Sequence, residues 1–512
     1  VRGCLVLQGQ AVVEGGLSYQ LWREPLRRLV LSVELSNEDV AILKDMIHDI
    51  GDLLEREVDD APDLEGQAGQ QRLFDTIVRV FQNYKRPMML VLEDLQWTVE
   101  SRDVLKYLLS MVGDLPLMIV GSYRSDEAPL LPEDLPSMRV IRLERLHDEN
   151  VADLCASMLG DVGRQPAVLE LVKRETEGNV FFIIEVIRAL AEEAGRLNEI
   201  GGMELPTHVF AGGIQQIIER RINRVTAESR PLLRAAAVYG RELDVALLHE
   251  IAPTLDLDQW LVECANAAVI DIMDQQWRFA HDKLREGLLN SLDDSEQQEL
   301  HLRIATALEN VYTDEADEYA AKIADHYERA VQEEASIQWY LRAGHHAQAQ
   351  YTPVNGIAHF RKVMAFWDQN KDTQDFSIPE LIKVLHGLGT MLTWQAEYPE
   401  AVDIFEQMEA LAAAEGNLIS QSGALYGIAN IKINQGELRD AVETLTQAVE
   451  TAEAGGNNLA LLRALWLKGV SMDRLGDAES TLDSSERVLA LAEELGDQTQ
   501  MAQSYNLSGA VY

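Results

Sequence analysis

The sequence predicts a multidomain protein in which an α/β core on a parallel sheet gives way to helices and then to an all-α superhelix. Three observations carry this. Over the first 145 residues, short apolar runs alternate with segments of helical spacing, the pattern of strands joined by crossover helices. Beyond Asp148 strand signals nearly vanish. In the last third, small residues recur every 40 positions, the mark of a stacked helical repeat.

Taken in order, Cys4–Val13 is apolar and β-prone and reads as a strand, while Leu17–Leu31 carries helical spacing. Gln70–Asn83 predicts an amphipathic helix with Leu73, Ile77, Val78 and Phe81 on one face. The strand Met88–Leu92 follows, then a helix over Arg102–Val112 whose Val104, Leu105, Leu108, Leu109 and Val112 form a stripe. Strands are expected at Leu117–Tyr123 and Val140–Leu143. Continuous apolar strands joined by helices imply a parallel sheet covered on both faces, with ligands beyond the carboxyl ends of its strands.

Asp148 suits the N-cap of a helix over Glu149–Met158. Helices follow at 166–176 and 180–195, separated by Glu177-Gly178-Asn179. Gly201-Gly202 and Pro206 mark a boundary. Residues 208–292 read as three helices, a strand pair (Ala268–Met273 and Trp277–Ala280) and a further helix, the outline of a winged helix. Degenerate helical units begin around Ala335–Trp339 and Gly356–Phe360. Regular ones follow, in which Gly389, Ala429, Gly469 and Gly509 keep one register and Gly416, Gly456 and Gly496 a second. The turns Ala396-Glu397, Gly436-Glu437 and Gly476-Asp477 share the same period. Small residues allow close helix packing, and glycines end each helix.

The 512 residues suggest about three to four domains. No apolar run approaches about 18 residues, so no membrane span is expected. Cys4, Cys155 and Cys264 are too dispersed for a metal cluster or a disulfide framework, which fits a reducing cytoplasm. With 85 acidic against 44 basic side chains, the net charge is −41, which opposes direct nucleic-acid binding. The chain opens on Val1, runs directly into a strand and stops inside a repeat, and so reads as an internal piece of a longer protein.

The chemistry concentrates where Met88–Leu92 runs into Glu93 and Asp94. Mg²⁺ takes hard oxygen ligands, and a second carboxylate can orient an attacking water, so an acidic pair at a strand end suits phosphoryl transfer. Glu93 takes the metal role and Asp94 the water role, both within reach of the ion. Arg124, after the next strand, falls on the same sheet edge and can meet a γ-phosphate. The Gly-x-x-x-x-Gly-Lys-Ser/Thr loop that completes such a site does not occur, nor does any Gly-Lys dipeptide. His281 stands where a strand runs into a helix.

Leu90-Val-Leu-Glu-Asp-Leu-Gln-Trp97 resembles the Walker B segment of STAND-class signalling P-loop ATPases. The likeness is to the AAA-type branch of the bacterial maltose-regulon activator, large LuxR-type regulators and AAA-linked kinases or cyclases. Gly121-Ser-Tyr-Arg-Ser-Asp-Glu127 is similar to their sensor segment, and Gly178-Asn-Val-Phe-Phe-Ile-Ile-Glu185 to their lid motif, with Val180 in place of proline. Trp277-Arg-Phe-Ala-His-Asp-Lys-Leu-Arg-Glu286 resembles their winged-helix segment, in which the histidine lies near the β-phosphate of ADP. Tyr327-Glu-Arg-Ala330 and Tyr340-Leu-Arg-Ala-Gly344 look like the start of their tetratricopeptide (TPR) arm.

The resemblance implies a P-loop NTPase core over 1–147 lacking its P-loop, a helical lid over 148–204, a winged helix over 205–293, an arm over 294–378 and TPR-like repeats over 379–512. It implies an ATP/ADP-switched, Mg²⁺-dependent signal-transduction ATPase that places Arg124, Gly178, Asn179 and His281 on the nucleotide. The arm would sense a protein or small-molecule inducer, with nucleotide-dependent self-association and an output domain (kinase, cyclase or DNA-binding) elsewhere. The alternative is a non-catalytic repeat scaffold with a degenerate nucleotide core. An origin-type initiator ATPase also joins such a core to a winged helix, but the charge and the repeats oppose it.

Overall fold

The computed structural model describes residues 3–11, 18–62, 67–98, 100–194, 214–273, 276–370 and 377–511. It opens with β1 (Leu5–Gln10), α1 (Gln20–Val30), α2 (Asn37–Leu43), the single turn α3 (Ile50–Leu53), α4 (Gln67–Asn83), β2 (Met88–Glu93), α5 (Glu100–Met111) and β3 (Leu117–Gly121). The short α6 (Leu131–Asp134) precedes α7 (Asp148–Leu159), α8 (Pro166–Thr176), α9 (Val180–Ala194), α10 (Ile214–Ile222), α11 (Arg230–Tyr239), α12 (Val245–Ile251) and α13 (Leu257–Asn266). Strands β4 (Ile270–Met273) and β5 (Gln276–Phe279) lead to α14 (Asp282–Asn290), α15 (Asp294–Val311) and α16 (Ala320–Arg329). The remainder is α17 (Glu333–Ala349), α18 (Pro353–Gln369), α19 (Ile378–Trp394), α20 (Tyr398–Ala414), α21 (Leu418–Gln435), α22 (Leu438–Gly455), α23 (Asn458–Leu475), α24 (Ala478–Leu495) and α25 (Gln498–Val511). Two compact units result: Val1–Leu131 with Asp314–Asp325 and Glu333–Tyr512, and Pro132–Thr313 with His326–Gln332.

In the first unit, β1, β2 and β3 form a parallel sheet in that order, with Leu7 opposite Leu90, Gly9 opposite Leu92 and Val91 opposite Val120. Strand alternation puts Leu7, Leu90 and Leu92 on one face, where all three are buried. Helix α1 lies on that face. A Cβ on Gly9 would stand 2.0 Å from the Leu21 carbonyl oxygen, so only glycine admits the helix this closely. α1, α4 and α5 form one layer, in which Trp22 meets Phe81 edge-on at 6.4 Å and Phe74 meets Tyr107 at 6.0 Å. Burying large side chains such as Trp22 and Phe81 contributes about 1.5–3 kcal/mol each.

The opposite face carries Val6, Gln8, Gln10, Met89, Val91, Glu93, Met118 and Val120. Met118 is 62% and Val120 40% exposed, so the expected cover on both faces is missing at β3 among the described residues. The expected strand Val140–Leu143 does not form either: the segment is irregular, with Ile141 75% and Leu143 95% exposed. β-propensity cannot hold a strand that has no neighbour to satisfy its backbone groups. α2 and α3 occupy a stretch in which no element was expected.

In the second unit, α7, α8 and α9 share a core of Val151, Cys155, Val168, Val172, Ile183 and Ile187. His147, not Asp148, is the N-cap of α7. Asp148 opens the first turn, where its charge still favours the helix dipole. α11, α12 and α13 pack with the antiparallel hairpin β4–β5 around Leu233, Trp260, Val269 and Phe279. Four described helices, α10 to α13, precede the hairpin where three were expected. Gly201, Gly202 and Pro206 lie outside the described residues. A buried ion pair joins Arg221 of α10 to Glu185 of α9, and Arg221 also donates to the Ala268 carbonyl at 2.8 Å.

The helical repeat is plain in the helix starts, at Ile378, Leu418, Asn458 and Gln498 and again at Tyr398, Leu438 and Ala478. Gly416, Gly456 and Gly496 take positive φ of 69°, 63° and 71°, closing one helix before the next begins. The other small residues form slots. Phe360 of α18 fits against Gly344 of α17 and Gly387 of α19, and Phe405 of α20 against Gly389 of α19 and Gly427 of α21. No described helix is long and apolar enough to cross a membrane.

Candidate functional site

Parallel strands deliver their carboxyl ends to one edge, and the period of two then selects which side chains meet there. Gln8, Gln10 and Glu93 share a face, and the Gln8 amide donates to Glu93 Oε1 at 3.3 Å. Asp94 leaves the strand in the left-handed region at φ 60°, which an aspartate tolerates better than most residues. Its carboxylate accepts from the Gln10 amide at 2.9 Å and the Gln96 amide at 3.3 Å, while its N–H donates to Ser122 Oγ at 3.3 Å.

Gln96 ties the acidic end to its cationic neighbour. Its amide donates to Asp94, and its carbonyl accepts the main-chain N–H of Arg124 at 3.2 Å. The Arg124 guanidinium lies 5.7 Å from the Trp97 ring centroid and pairs with Glu127 at 3.1 Å, and Trp97 Nε1 donates to the same carboxylate at 2.9 Å. Glu93, Asp94 and Arg124 thus gather at one sheet edge. Both carboxylates are half-buried, and the neutral amides of Gln8, Gln10 and Gln96 are among their partners. Among the described residues no group of three His, Cys, Asp or Glu could hold a metal. A divalent cation here would therefore need oxygens from a ligand, as a phosphate-bound Mg²⁺ does.

Six residues past Asp94, Glu100 opens α5 and is 4% exposed. Its carboxyl group accepts the Asn355 N–H at 3.0 Å and the Asn355 side-chain amide at 2.5 Å, capping the amino end of α18. Burial raises its pKa to about 8. Beside it the Tyr351 carbonyl accepts from Tyr19 Oη and from the Gln70 amide, both at 3.3 Å. Tyr351 itself is left-handed, at φ 54°. Glu318 pairs with Arg23 and, at 3.1 Å, with His48. These contacts tie the sheet layer to the start of α18 and to the segment before α16, all within the first unit.

In the second unit, Gly178 takes φ +79°, and a Cβ there would lie 2.3 Å from the Leu146 carbonyl oxygen. Leu146 donates its N–H to Gly178 at 2.9 Å, stitching the lead-in of α7 to the turn before α9. Asn179 caps α9, with its carbonyl accepting from Ile183 at 2.9 Å. A cavity of about 610 Å³ opens on this turn, lined by Leu146, His147, Val151, Lys173, Glu177 and Gly178 among others. His281 stands on a separate element as the N-cap of α14, its Nδ1 accepting the Lys283 N–H at 3.1 Å. Burial lowers its pKa, so the ring is neutral near pH 7 and its proton sits on Nε2.

Sequence reasoning passed over Gln8, Gln10, Gln96, Ser122 and the Glu100–Asn355 pair. The glutamines were findable, because Gln8-Gly9-Gln10 interrupts an apolar strand with two amides on one face. Glu100 and Asn355 are 255 positions apart and carry no local signal.

No family model matches the chain. An uncharacterized protein of Rhizobium meliloti (strain 1021) is 23% identical over 319 residues, covering 60% of this chain and 30% of that protein; the match thus spans under a third of the relative's length. Among solved structures, a signal transduction ATPase with numerous domains (STAND) and a tetratricopeptide repeat sensor from Pyrococcus horikoshii aligns over 100% of this chain and 84% of its own. Its TM-score is 0.33 at 11% identity. Aspartyl phosphate phosphatase F of Bacillus subtilis aligns over 60% of this chain and 81% of its own, with TM-score 0.35 and 14% identity. These scores are low, and what this chain does is decided by its own residues.

Proposed function

We propose that this chain is the switch and sensor portion of a cytoplasmic signal-transduction ATPase, in which ATP/ADP state at the sheet edge is coupled to a protein- or ligand-binding helical arm. The observation that carries the reading is the strand-end cluster of Glu93, Asp94 and Arg124 joined through Gln96. Bound Mg²⁺ would supply charge neutralisation for the transferring phosphoryl group. Glu93 would help hold it, Asp94 would accept a proton contact from the attacking water, and Arg124 would swing from Glu127 to the γ-phosphate. The turn at Gly178 and Asn179, beside its cavity, would serve as the lid element. The neutral His281, protonated at Nε2, is a hydrogen-bond donor suited to a phosphate oxygen. α11 to α14 with their hairpin act as a winged-helix switch part rather than a DNA reader, in keeping with the net charge of −41.

The test uses the polypeptide extended upstream to include a phosphate-binding loop. Glu93→Gln is expected to retain nucleotide and lose hydrolysis at least a hundredfold, as removal of a key transition-state group does. His281→Ala is expected to loosen ADP. An extended protein that holds no nucleotide would leave the non-catalytic repeat scaffold as the better reading.

A further inference from the structure

We infer that Gln8 and Gln10 are positioning residues for the acidic pair, and that helix α1, seated on Gly9 between them, sets their aim according to how the arm holds it. Glu93 Oε1 accepts from the Gln8 amide at 3.3 Å, Asp94 from the Gln10 amide at 2.9 Å, and the Glu93 carbonyl from the Ala11 N–H at 3.0 Å. The end of β1 thus reaches both carboxylates and the backbone that carries them. Among the described residues β1 is the outer strand of its sheet and pairs with β2 alone, so it can tilt without breaking a second ladder.

Helix α1 bears on this stretch from the other face. By alternation Gly9 turns toward α1, while Gln8 and Gln10 turn away from it. Pro25 lies inside α1 and has no N–H to give the Leu21 carbonyl four residues earlier. That carbonyl meets Gly9, where a Cβ would stand 2.0 Å from its oxygen and 3.1 Å from Pro25 Cγ. Backbone packed this closely on backbone transmits displacement, because no flexible side chain lies between to absorb it. Leu21, Trp22, Leu26 and Leu29 are fully buried, so the helix moves as a rigid piece.

The arm grips the opposite side of the helix. Arg23 is two positions from both Leu21 and Pro25, about 200° around a helix, and it pairs with Glu318 ahead of α16. The Glu318 side chain is buried, so salt screens this pair little. At the start of the helix, Tyr19 Oη donates to the Tyr351 carbonyl ahead of α18 at 3.3 Å. All these residues belong to the first unit. A shift of the two anchors moves α1, α1 moves Gly9, and the pleat carries the movement to the glutamines. That the carboxylates thereby tighten or slacken on a phosphate-bound Mg²⁺ rests on the function proposed above. The coupling from arm to strand end does not.

The test is hydrogen exchange on the 512-residue chain without nucleotide, read at the Leu95, Trp97 and Arg124 amides of the strand-end turns and at the amides of β2. Glu318→Gln loosens one anchor and Tyr19→Phe the other. Each is expected to speed the turn amides at least about fivefold relative to β2, the size of a modest coupling within one network. In a Gln8→Leu, Gln10→Leu background neither should add anything. Unchanged turn amides would overturn the inference, and so would an equal acceleration in both backgrounds. A uniform rise over turn and β2 would also overturn it, since that is plain loss of stability. Should Glu318→Gln fold poorly, Tyr19→Phe, which removes a single hydroxyl, carries the test. Because no nucleotide is present, a failure here removes the coupling and leaves the ATPase reading standing, whereas loss of the ATPase reading leaves this exchange pattern unchanged.

Discussion

Replacing Glu100 isolates the contact between the sheet domain and the arm. Burial holds this carboxyl at a pKa of about 8 in the folded chain, against 4.5 for an ordinary glutamate. Between those values the folded chain holds one more proton than the unfolded chain, so stability falls as pH rises. The contribution is fully present below 4.5 and is lost as pH passes through 8. Its slope in the middle of that window is about 1.4 kcal/mol per pH unit. Glu100→Gln keeps an acceptor for the Asn355 N–H and cannot ionise, so the difference in stability between native protein and variant should carry that slope. Glu100→Ala strips both hydrogen bonds from Asn355 and should cost about 1–3 kcal/mol. The assay is urea unfolding with hydrogen exchange followed over the first turn of α18, from about pH 5.5 to about pH 7.5, within the span in which the carboxyl remains protonated only when folded. Parallel pH curves for native protein and Glu100→Gln would refute the assignment, since another group would then be titrating.

Histidine gives the opposite sign. Burial pushes His301 and His359 down to about 4 from 6.5, so the stability they contribute is present above 6.5 and lost as pH falls through 4. His359→Gln should remove one proton from the uptake on acid unfolding, measured by the pH dependence of the urea midpoint. In the repeats, Ala396 holds φ 59° where Gly436 and Gly476 hold 83° and 79°. Ala396→Gly should therefore stabilise by about 1 kcal/mol, and a lowered melting temperature would contradict this. Gly387→Ala puts a methyl 2.5 Å from the Phe360 ring, for a loss of about 1–3 kcal/mol that Phe360→Leu should partly restore in a double-mutant cycle.

Which elements could be read from sequence follows from the range of the forces that make them. The 40-residue repeat was legible because each helix pair uses the same close approach and the same left-handed stop, so composition repeats with geometry. Met88–Glu93 was legible because a central parallel strand is an uninterrupted apolar run, and this one stops at an acidic pair. Val140–Leu143 misled because β-propensity describes what a segment can do beside a partner, and none of the described residues supplies one. Asp148 misled by one position, within the usual fraying of a helix start. Gln96 and Ser122 were invisible as site residues because their roles come from the turn geometry at Asp94, and Glu100 because its partner is distant in sequence.

The open strand β3 bears on how this chain behaves in solution as a colloid. Two copies can relieve this edge, which has no strand partner among the described residues, by lying side by side, which is how exposed strands seed aggregation. Each copy, however, carries a charge of −41, and that repulsion acts over about 8–10 Å at ordinary salt. Salt shortens the range, so the acidity that holds copies apart guards this edge least well where ions are most abundant.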